Sequence, residues 1–431
     1  MPTTATATER SYLDLISDCV HCGFCLPACP TYRSWANEMD SPRGRIDLMK
    51  GVAENAIPLT PTVVEHFDRC LGCMGCVTAC PSGVRYDLLI EATRATVEER
   101  THRSPFDRAF RALIFRLFPY PKRLAAFAPW LALYARSGLQ SLVRRSGLLR
   151  LLPARLQQLE ELTPPASAPA TPLPERTAAR GSARARVGLV AGCVQRVFFP
   201  NVNAATIRVL AAEGCEVLVP PKQGCCGALS LHAGRHAEAL RFARALVDAF
   251  DTADLDFIAI NAAGCGSALK QYGTLLAGDP AYAQRALRFA AKVRDVHELL
   301  AALEPRAPRA AIPVRVAYHD ACHLAHAQKI REQPRALLRS IPLLELLEIP
   351  SGEECCGSAG VYNLLEPEAA REIGDRKVKA LVTTGAELLA SANPGCTLQI
   401  RSRLRARGLN IDAAHPIEIL DRSIERAASG L

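Results

Sequence analysis

CVHCGFCLPACP, residues Cys19–Pro30, and CLGCMGCVTACP, residues Cys70–Pro81, carry one spacing twice. In each run three cysteines are separated by two residues apiece, a fourth follows after three more, and proline comes next. The chain has 431 residues and 17 cysteines, too long and too sparse in cysteine for a small disulfide scaffold. Hydrophobic residues make up 49% and charged residues 22%, the balance of a folded chain with two or three cores. Thr/Ala-rich Met1–Ser17 has acidic Glu9 and Asp14 and shows no apolar signal core. This start predicts a cytoplasmic chain whose cysteines serve metal ligation or redox chemistry.

The doubled run is the C-x2-C-x2-C-x3-C-P pattern of bacterial two-cluster ferredoxins. Three thiolates two residues apart wrap one iron–sulfur cube, and the fourth, a turn further on, reaches the other cube. The predicted [4Fe–4S] ligand sets are crossed: Cys19, Cys22, Cys25 and Cys80 for one, Cys70, Cys73, Cys76 and Cys29 for the other. Zinc sites use four ligands in one tetrahedral group, usually two C-x2-C pairs, a poor match to three evenly spaced cysteines. Gly23, Gly72 and Gly75 leave room for backbone N–H groups to approach cluster sulfurs. Between the runs, Ile46–Val52 reads as a helix. Arg43 and Arg45 suit offsetting cluster charge, facing a partner, or standing solvated at a helix start.

The next cysteines form a second repeat. Cys193, Cys225-Cys226-Gly227 and Cys265 are matched by Cys322, Cys355-Cys356-Gly357 and Cys396, with offsets of 129, 130 and 131 residues. Such register indicates a duplicated domain. Strands are predicted at 187–191, 216–220, 257–261, 314–318, 343–349 and 387–391, with helices at 237–250 and 368–382. Alternating strands and helices imply parallel α/β sheets, whose sites gather at the C-terminal strand ends, where these cysteines fall. Cys193, Cys225, Cys226 and Cys265, and likewise Cys322, Cys355, Cys356 and Cys396, are candidate ligands for one or two further clusters, or redox thiols. Cys215 reads as structural. His323 and His326 beside Cys322 fit either a role near a cluster or polar packing, His319 lies close by, and His21 sits inside the first run without being needed as a ligand.

Lys and Arg total 52 against 43 Asp and Glu, a net charge of +9. Residues 108–159 hold ten of the basic residues and no acidic one, with frequent aromatics. That composition predicts short amphipathic helices, broken at Pro119, Pro121 and Pro129, making a peripheral membrane or quinone contact through 108–155. Packing against other protein is the alternative; nucleic-acid binding fits the charge alone and is excluded. No apolar run is long enough to span a bilayer. Thr163–Arg184, rich in Pro, Ala, Ser and Thr, reads as a linker. The predicted organisation is an α+β/α/β multidomain chain: a helical two-cluster domain (1–104), a basic helical segment (105–162), the linker (163–185) and two repeated α/β cysteine-rich domains (186–312 and 313–431).

The Cys-Cys-Gly repeats resemble the cysteine-rich domains of heterodisulfide reductase and of respiratory iron–sulfur subunits. Residues 19–32, 41–46, 69–86, 263–273, 324–329, 355–362 and 415–420 together resemble the glycolate oxidase iron–sulfur subunits, with those of lactate-utilisation and anaerobic glycerol-3-phosphate dehydrogenase complexes sharing the layout. The resemblance implies an electron-transfer subunit without catalytic residues. Electrons would come from FAD-binding partner subunits that oxidise a 2-hydroxy acid, and pass towards a membrane quinone at the inner face of the cell membrane. No dinucleotide fingerprint of the G-x-G-x-x-G type follows a strand here, in keeping with a separate flavin chain. In the heterodisulfide reductase pattern a fifth cysteine follows the third landmark; Ala268 and Gln399 stand there instead, which argues against a five-cysteine cluster and a thiol–disulfide enzyme.

Overall fold

The computed structural model describes residues 10–164, 172–251 and 254–430. Most of the stretch read for a signal segment, residues 1–9, and part of the linker, 165–171, lie outside these.

The N-terminal region is helical. Pro42–Ala53 is capped by Ser41, whose hydroxyl accepts from the Gly44 N–H, with proline at the first turn. The helix therefore begins four residues before the apolar stretch at Ile46. Pro61–Asp68 and Tyr86–Arg100 pack with it around Ile46, Met49, Phe67, Leu89 and Ile90, all nearly inaccessible to solvent. The proline after each fourth cysteine stops or starts the chain locally: Pro30 opens a helix to Trp35.

Two sheets follow. The first has the order β1-β3-β2-β4-β5, with β1 Arg176–Thr177, β2 Ala185–Val190, β3 Cys215–Leu218, β4 Phe257–Ile260 and β5 Val293–Asp295. The second has the order β7-β6-β8-β9, with β6 Val314–His319, β7 Leu344–Glu348, β8 Leu388–Ser391 and β9 Asp412–Ala414. All pairings are parallel except β1 with β3. Inner strands β2 and β6 read as apolar runs because helices cover both faces. The copies share one core: Val187, Leu189 and Val217 join Val316, Tyr318, Ala390 and Ile417 in one apolar cluster. Arg208 on the helix Pro200–Ala212 clasps Asp421 on Pro416–Ala428 across this contact. Cys215 lies fully buried in that core, away from the other thiols.

Three expectations need correction. Pro129 does not break its helix, which runs Pro121–Arg136; residues around it, including Ala125 four positions earlier, face solvent, so water can satisfy the freed carbonyl. The linker carries structure: Arg176–Thr177 forms an antiparallel edge strand, and Leu173 packs on the core. The basic segment is less free than its composition suggests. Arg111 and Arg155 pair with Asp107, and Arg144 pairs with Glu160, acidic residues just outside it.

Candidate metal centres

Two adjacent cavities lie under the helix Pro42–Ala53, with Pro42, Tyr86 and Cys76 bordering both. One is lined by Cys19, Cys22, Cys25 and Cys80, the other by Cys29, Cys70, Cys73 and Cys76. Each cavity thus takes three thiols of one run and the fourth of the other. The helix Pro30–Trp35 and the short helix Gly75–Ala79 turn the chain back so that Cys29 and Cys80 cross over.

Backbone geometry suits a bulky, anionic guest. Gly23 and Gly72 have φ of +87° and +63°, where a side chain is strained. A Cβ on Gly23 would come 3.1 Å from Arg43, and one on Gly72 would come 3.1 Å from Arg94. The two runs therefore repeat even in the arginine leaning over each glycine. The Gly72 N–H donates to Cys70 Sγ at 3.3 Å, and the Tyr86 hydroxyl donates to it at 3.6 Å. Arg45 is 1% exposed and lines the second cavity, while Arg43 lines the first and donates to the His21 carbonyl. Of the roles open to these arginines, compensation of buried negative charge is the one the packing of Arg45 supports; Arg43 is part exposed and pairs with Glu38. Burial raises the Cys70 thiol, but Arg45, Arg94, Tyr86 and the Gly72 N–H outweigh it and hold it below the ordinary thiol range. Burial pushes Cys73 and Cys76 well up, as suits thiols that ionise only on meeting a metal. Three thiols of one run and the fourth of the other in each cavity, with an amide and a hydroxyl aimed at the Cys70 sulfur and the buried Arg45 charge at the second, fit a [4Fe–4S] cluster in each.

The outer cysteines also converge. Cys226 Sγ lies 3.0 Å from Cys265 Sγ and Cys225 Sγ lies 3.5 Å from Cys193 Sγ. In the second copy Cys322 and Cys355 are 4.0 Å apart, and Cys356 and Cys396 gather with His319. The second set abuts the ferredoxin-like region: Cys322, Cys355 and Tyr362 share an apolar cluster with Leu71 and Cys73. His323 Nδ1 stands 3.6 Å from Cys322 Sγ, and its ring packs on His232 of the first copy at 4.9 Å between centroids. His326 instead bonds Thr78 and the Glu353 carbonyl, ordinary polar packing. His21, half exposed, faces Asp47.

Arg94, Tyr86, His232 and Lys377 escaped the sequence reading. None sits in a cysteine motif; the paired glycines Gly23 and Gly72 were the available hint that something large leans over each run.

Residues 15–84 match the 4Fe-4S dicluster domain, 187–270 and 316–401 the cysteine-rich domain, and 106–163 the linker region of the glycolate oxidase iron–sulfur subunit. The probable glycolate oxidase iron–sulfur subunit of Bacillus subtilis is 39% identical, covering 96% of this chain and 95% of its own. The chain belongs to the glycolate oxidase iron–sulfur subunit family. The Escherichia coli glycolate oxidase iron–sulfur subunit is 35% identical over 96% of this chain and 95% of its own. Lactate utilization protein A of an Exiguobacterium species is 30% identical over only 56% of this chain, though 99% of its own. A crystal structure of a hypothetical protein from Helicobacter pylori covers 91% of this chain and 70% of its own with a TM-score of 0.54 at 10% identity, a likeness of fold alone. As a member of the glycolate oxidase iron–sulfur subunit family, the chain is an iron–sulfur electron-transfer subunit with two or more clusters, not itself the catalyst of substrate oxidation. No helix among the described residues is long and apolar enough to cross a membrane.

Proposed function

We propose that this chain relays electrons from FAD-binding subunits that oxidise glycolate towards a membrane quinone. The observation that carries it is the pair of adjacent cavities, each lined by three cysteines of one run and the fourth of the other, with Cys76 on the wall between them. Cys19, Cys22, Cys25 and Cys80 would hold one [4Fe–4S] cluster, and Cys29, Cys70, Cys73 and Cys76 the other. When bound, such clusters take up and release single electrons with little rearrangement. The chain's own residues set the conditions. Arg45 and Arg43 bring positive charge to the cavity walls, Tyr86 and Gly72 donate to the Cys70 sulfur, and Leu71 and Met74 exclude water from the second cavity.

The first cavity opens at the surface: Cys22 is exposed, and beside it Val20 and Phe24 are 67% and 66% exposed. The second faces inward to Cys322 and Cys355. This polarity supports a wire with a solvent-side docking end and an inner end at the second α/β unit.

Within the basic segment, Pro105–Leu117 packs inward through Phe110, Ile114 and Phe115. The following turns do the opposite: Phe127, Trp130, Leu133, Leu142, Leu148 and Leu151 are all exposed. Lys122, Arg136 and Arg145 lie on the same helices. An exposed apolar face with basic residues supports seating in an anionic membrane interface, on the inner face of the cell membrane.

Anaerobic iron and sulfide quantitation, followed by reduction of the assembled complex with glycolate, tests the reading. About eight irons, as in two [4Fe–4S] clusters, bleaching on glycolate addition, support it. Irons that bleach with dithionite but never with glycolate in the presence of the flavin subunits refute the assignment of substrate.

A further inference from the structure

The duplicated α/β units differ at the point where their chemistry would be decided. Strands β2 and β6 occupy the same place in each unit and end just before Cys193 and Cys322. Their last residues are Val190 and His319, offset by the same 129 residues as the cysteines. Val190 is packed among Cys193, Cys225 and Cys226 in an apolar cluster. His319 is also fully buried, yet neither ring nitrogen has a hydrogen-bond partner among the described residues. A neutral imidazole carries one N–H and one lone pair, and leaving both unmet in an interior is unfavourable.

What His319 meets instead is sulfur. One of its ring nitrogens, Cys356 Sγ and Cys396 Sγ all lie within 4.8 Å of one another, and all three residues are buried. With Zn–S near 2.3 Å and Zn–N near 2.0–2.1 Å, donors around one tetrahedral ion stand roughly 3.5–3.8 Å apart. Only a small closure separates the observed trio from that geometry. Donors to different irons of a cube are spread more widely. The buried hydroxyls of Ser358 and Ser391 are likewise without partners among the described residues; Ser391 pairs in register with His319, and Ser358 lies against Gly395 beside Cys396. The pocket is polar and unfinished.

Charge follows the same asymmetry. Lys377, 3% exposed, donates to the carbonyls of Ser351 and Gly352, and its charge bears on Cys356 and Cys355. The matching helix of the first unit carries buried Leu246 and Val247 there. An ion with two positive charges held by three thiolates and an imidazole has net charge −1, which one ammonium offsets.

We propose that the second α/β unit holds one mononuclear zinc-type divalent ion, ligated by His319, Cys356 and Cys396 and completed by a shift of the adjacent Cys355, whose thiol stands 4.0 Å from that of Cys322, and that the first unit, with Val190 and no buried lysine among the described residues, does not. The site is separate from the two cluster cavities and its role is to fix the fold against the inner cluster wall, where Cys322 and Cys73 share one packed group.

The test is metal quantitation of the full chain purified anaerobically, with zinc, iron and sulfide measured together and zinc-edge X-ray absorption reading the ligand types. The expected result is about one zinc per chain with mixed nitrogen and sulfur ligation alongside about eight irons. His319→Val, which copies the first unit, and Cys396→Ser should each lower zinc at least about tenfold while iron content and the spectrum of the reduced clusters stay unchanged. Wild-type protein with only trace zinc, zinc retained in both variants, or iron rather than zinc lost on His319→Val would each overturn the proposal. Should His319→Val not fold, Cys396→Ser and the absorption edge of wild type still decide. Loss of cluster iron in wild type would undo the electron-transfer reading without touching this one.

Discussion

Arg45 and Asp40 form an ion pair at 3.3 Å with both side chains 1% exposed, against the cavity of Cys29, Cys70, Cys73 and Cys76. Asp40 also meets His66 and Arg69, while the Arg45 guanidinium donates to the carbonyls of His66 and Asp40. A charged group is expensive to bury, so its presence in this wall calls for an anionic neighbour beyond Asp40.

Arg45→Met removes that charge from one cavity only. Loss of one partner of a buried pair typically costs about 3–5 kcal/mol, seen as a lowered denaturation midpoint. A redox titration followed by electron paramagnetic resonance should show one cluster moving to lower potential while the other holds. Equal movement of both would contradict the placement of Arg45.

Crossed ligation makes a pairing prediction. Cys80→Ser should disturb the same cluster signal as Cys22→Ser, and Cys29→Ser the same as Cys73→Ser, because each fourth thiol lines the other run's cavity. Each variant should fall from about eight irons towards about four. If Cys80→Ser and Cys73→Ser altered one and the same signal, the crossing would be wrong.

The exposed face around Trp130 should govern membrane recovery. Trp130→Ser with Leu142→Ser removes two large apolar groups, 71% and 63% exposed, from a surface where they support no core. Affinity for anionic vesicles, read by flotation, should drop roughly 30- to 150-fold, the equivalent of roughly 2–3 kcal/mol of burial, with thermal stability unchanged. Undiminished flotation would point to docking on protein instead.

Glu366 offers a pH signature. Burial, then the charge of Asp68, raise its carboxyl to about 7 against the opposing pull of Arg155, Arg69 and Arg111. A raised folded value means that the native state binds the extra proton. Its contribution is therefore complete below the unfolded value near 4.5 and fades as pH rises through 7. Glu366→Gln should flatten the stability profile between pH 5 and 8, by up to about 3 kcal/mol. A profile that kept its slope in the variant would assign the titration elsewhere.

The ligand runs could be read directly because cluster ligation is local: three thiols two residues apart have one use, and proline marks where the fourth turns away. The repeat was legible for a similar reason, since its landmarks hold register over 129 to 131 residues. The basic segment misled in part. Arg111 pairs with Asp107 one turn away on its own helix, and Arg144 and Arg155 find Glu160 and Asp107 once helices fold back, so a window bounded at residues 108 and 159 counted charges as free that are paired. Pro129 misled because a proline's cost depends on whether water reaches the carbonyl it frees, a property of packing.

By itself the sequence determined which residues are chemical: eight cysteines in two runs, eight in a duplicated frame and Cys215 apart, because spacing along a chain restricts what a short turn can ligate. Tertiary structure alone decided what surrounds them. Arg45 reaches its cavity, Arg94 bonds the carbonyls of Cys70 and His232, Cys73 meets Cys322, and His319 joins Cys356 and Cys396 through contacts between segments far apart in the chain. Burial, the setting of each charge and the lack of hydrogen-bond partners for the His319 ring nitrogens among the described residues arise only once those segments are packed together, and they are what separate two copies that the cysteine count makes look alike.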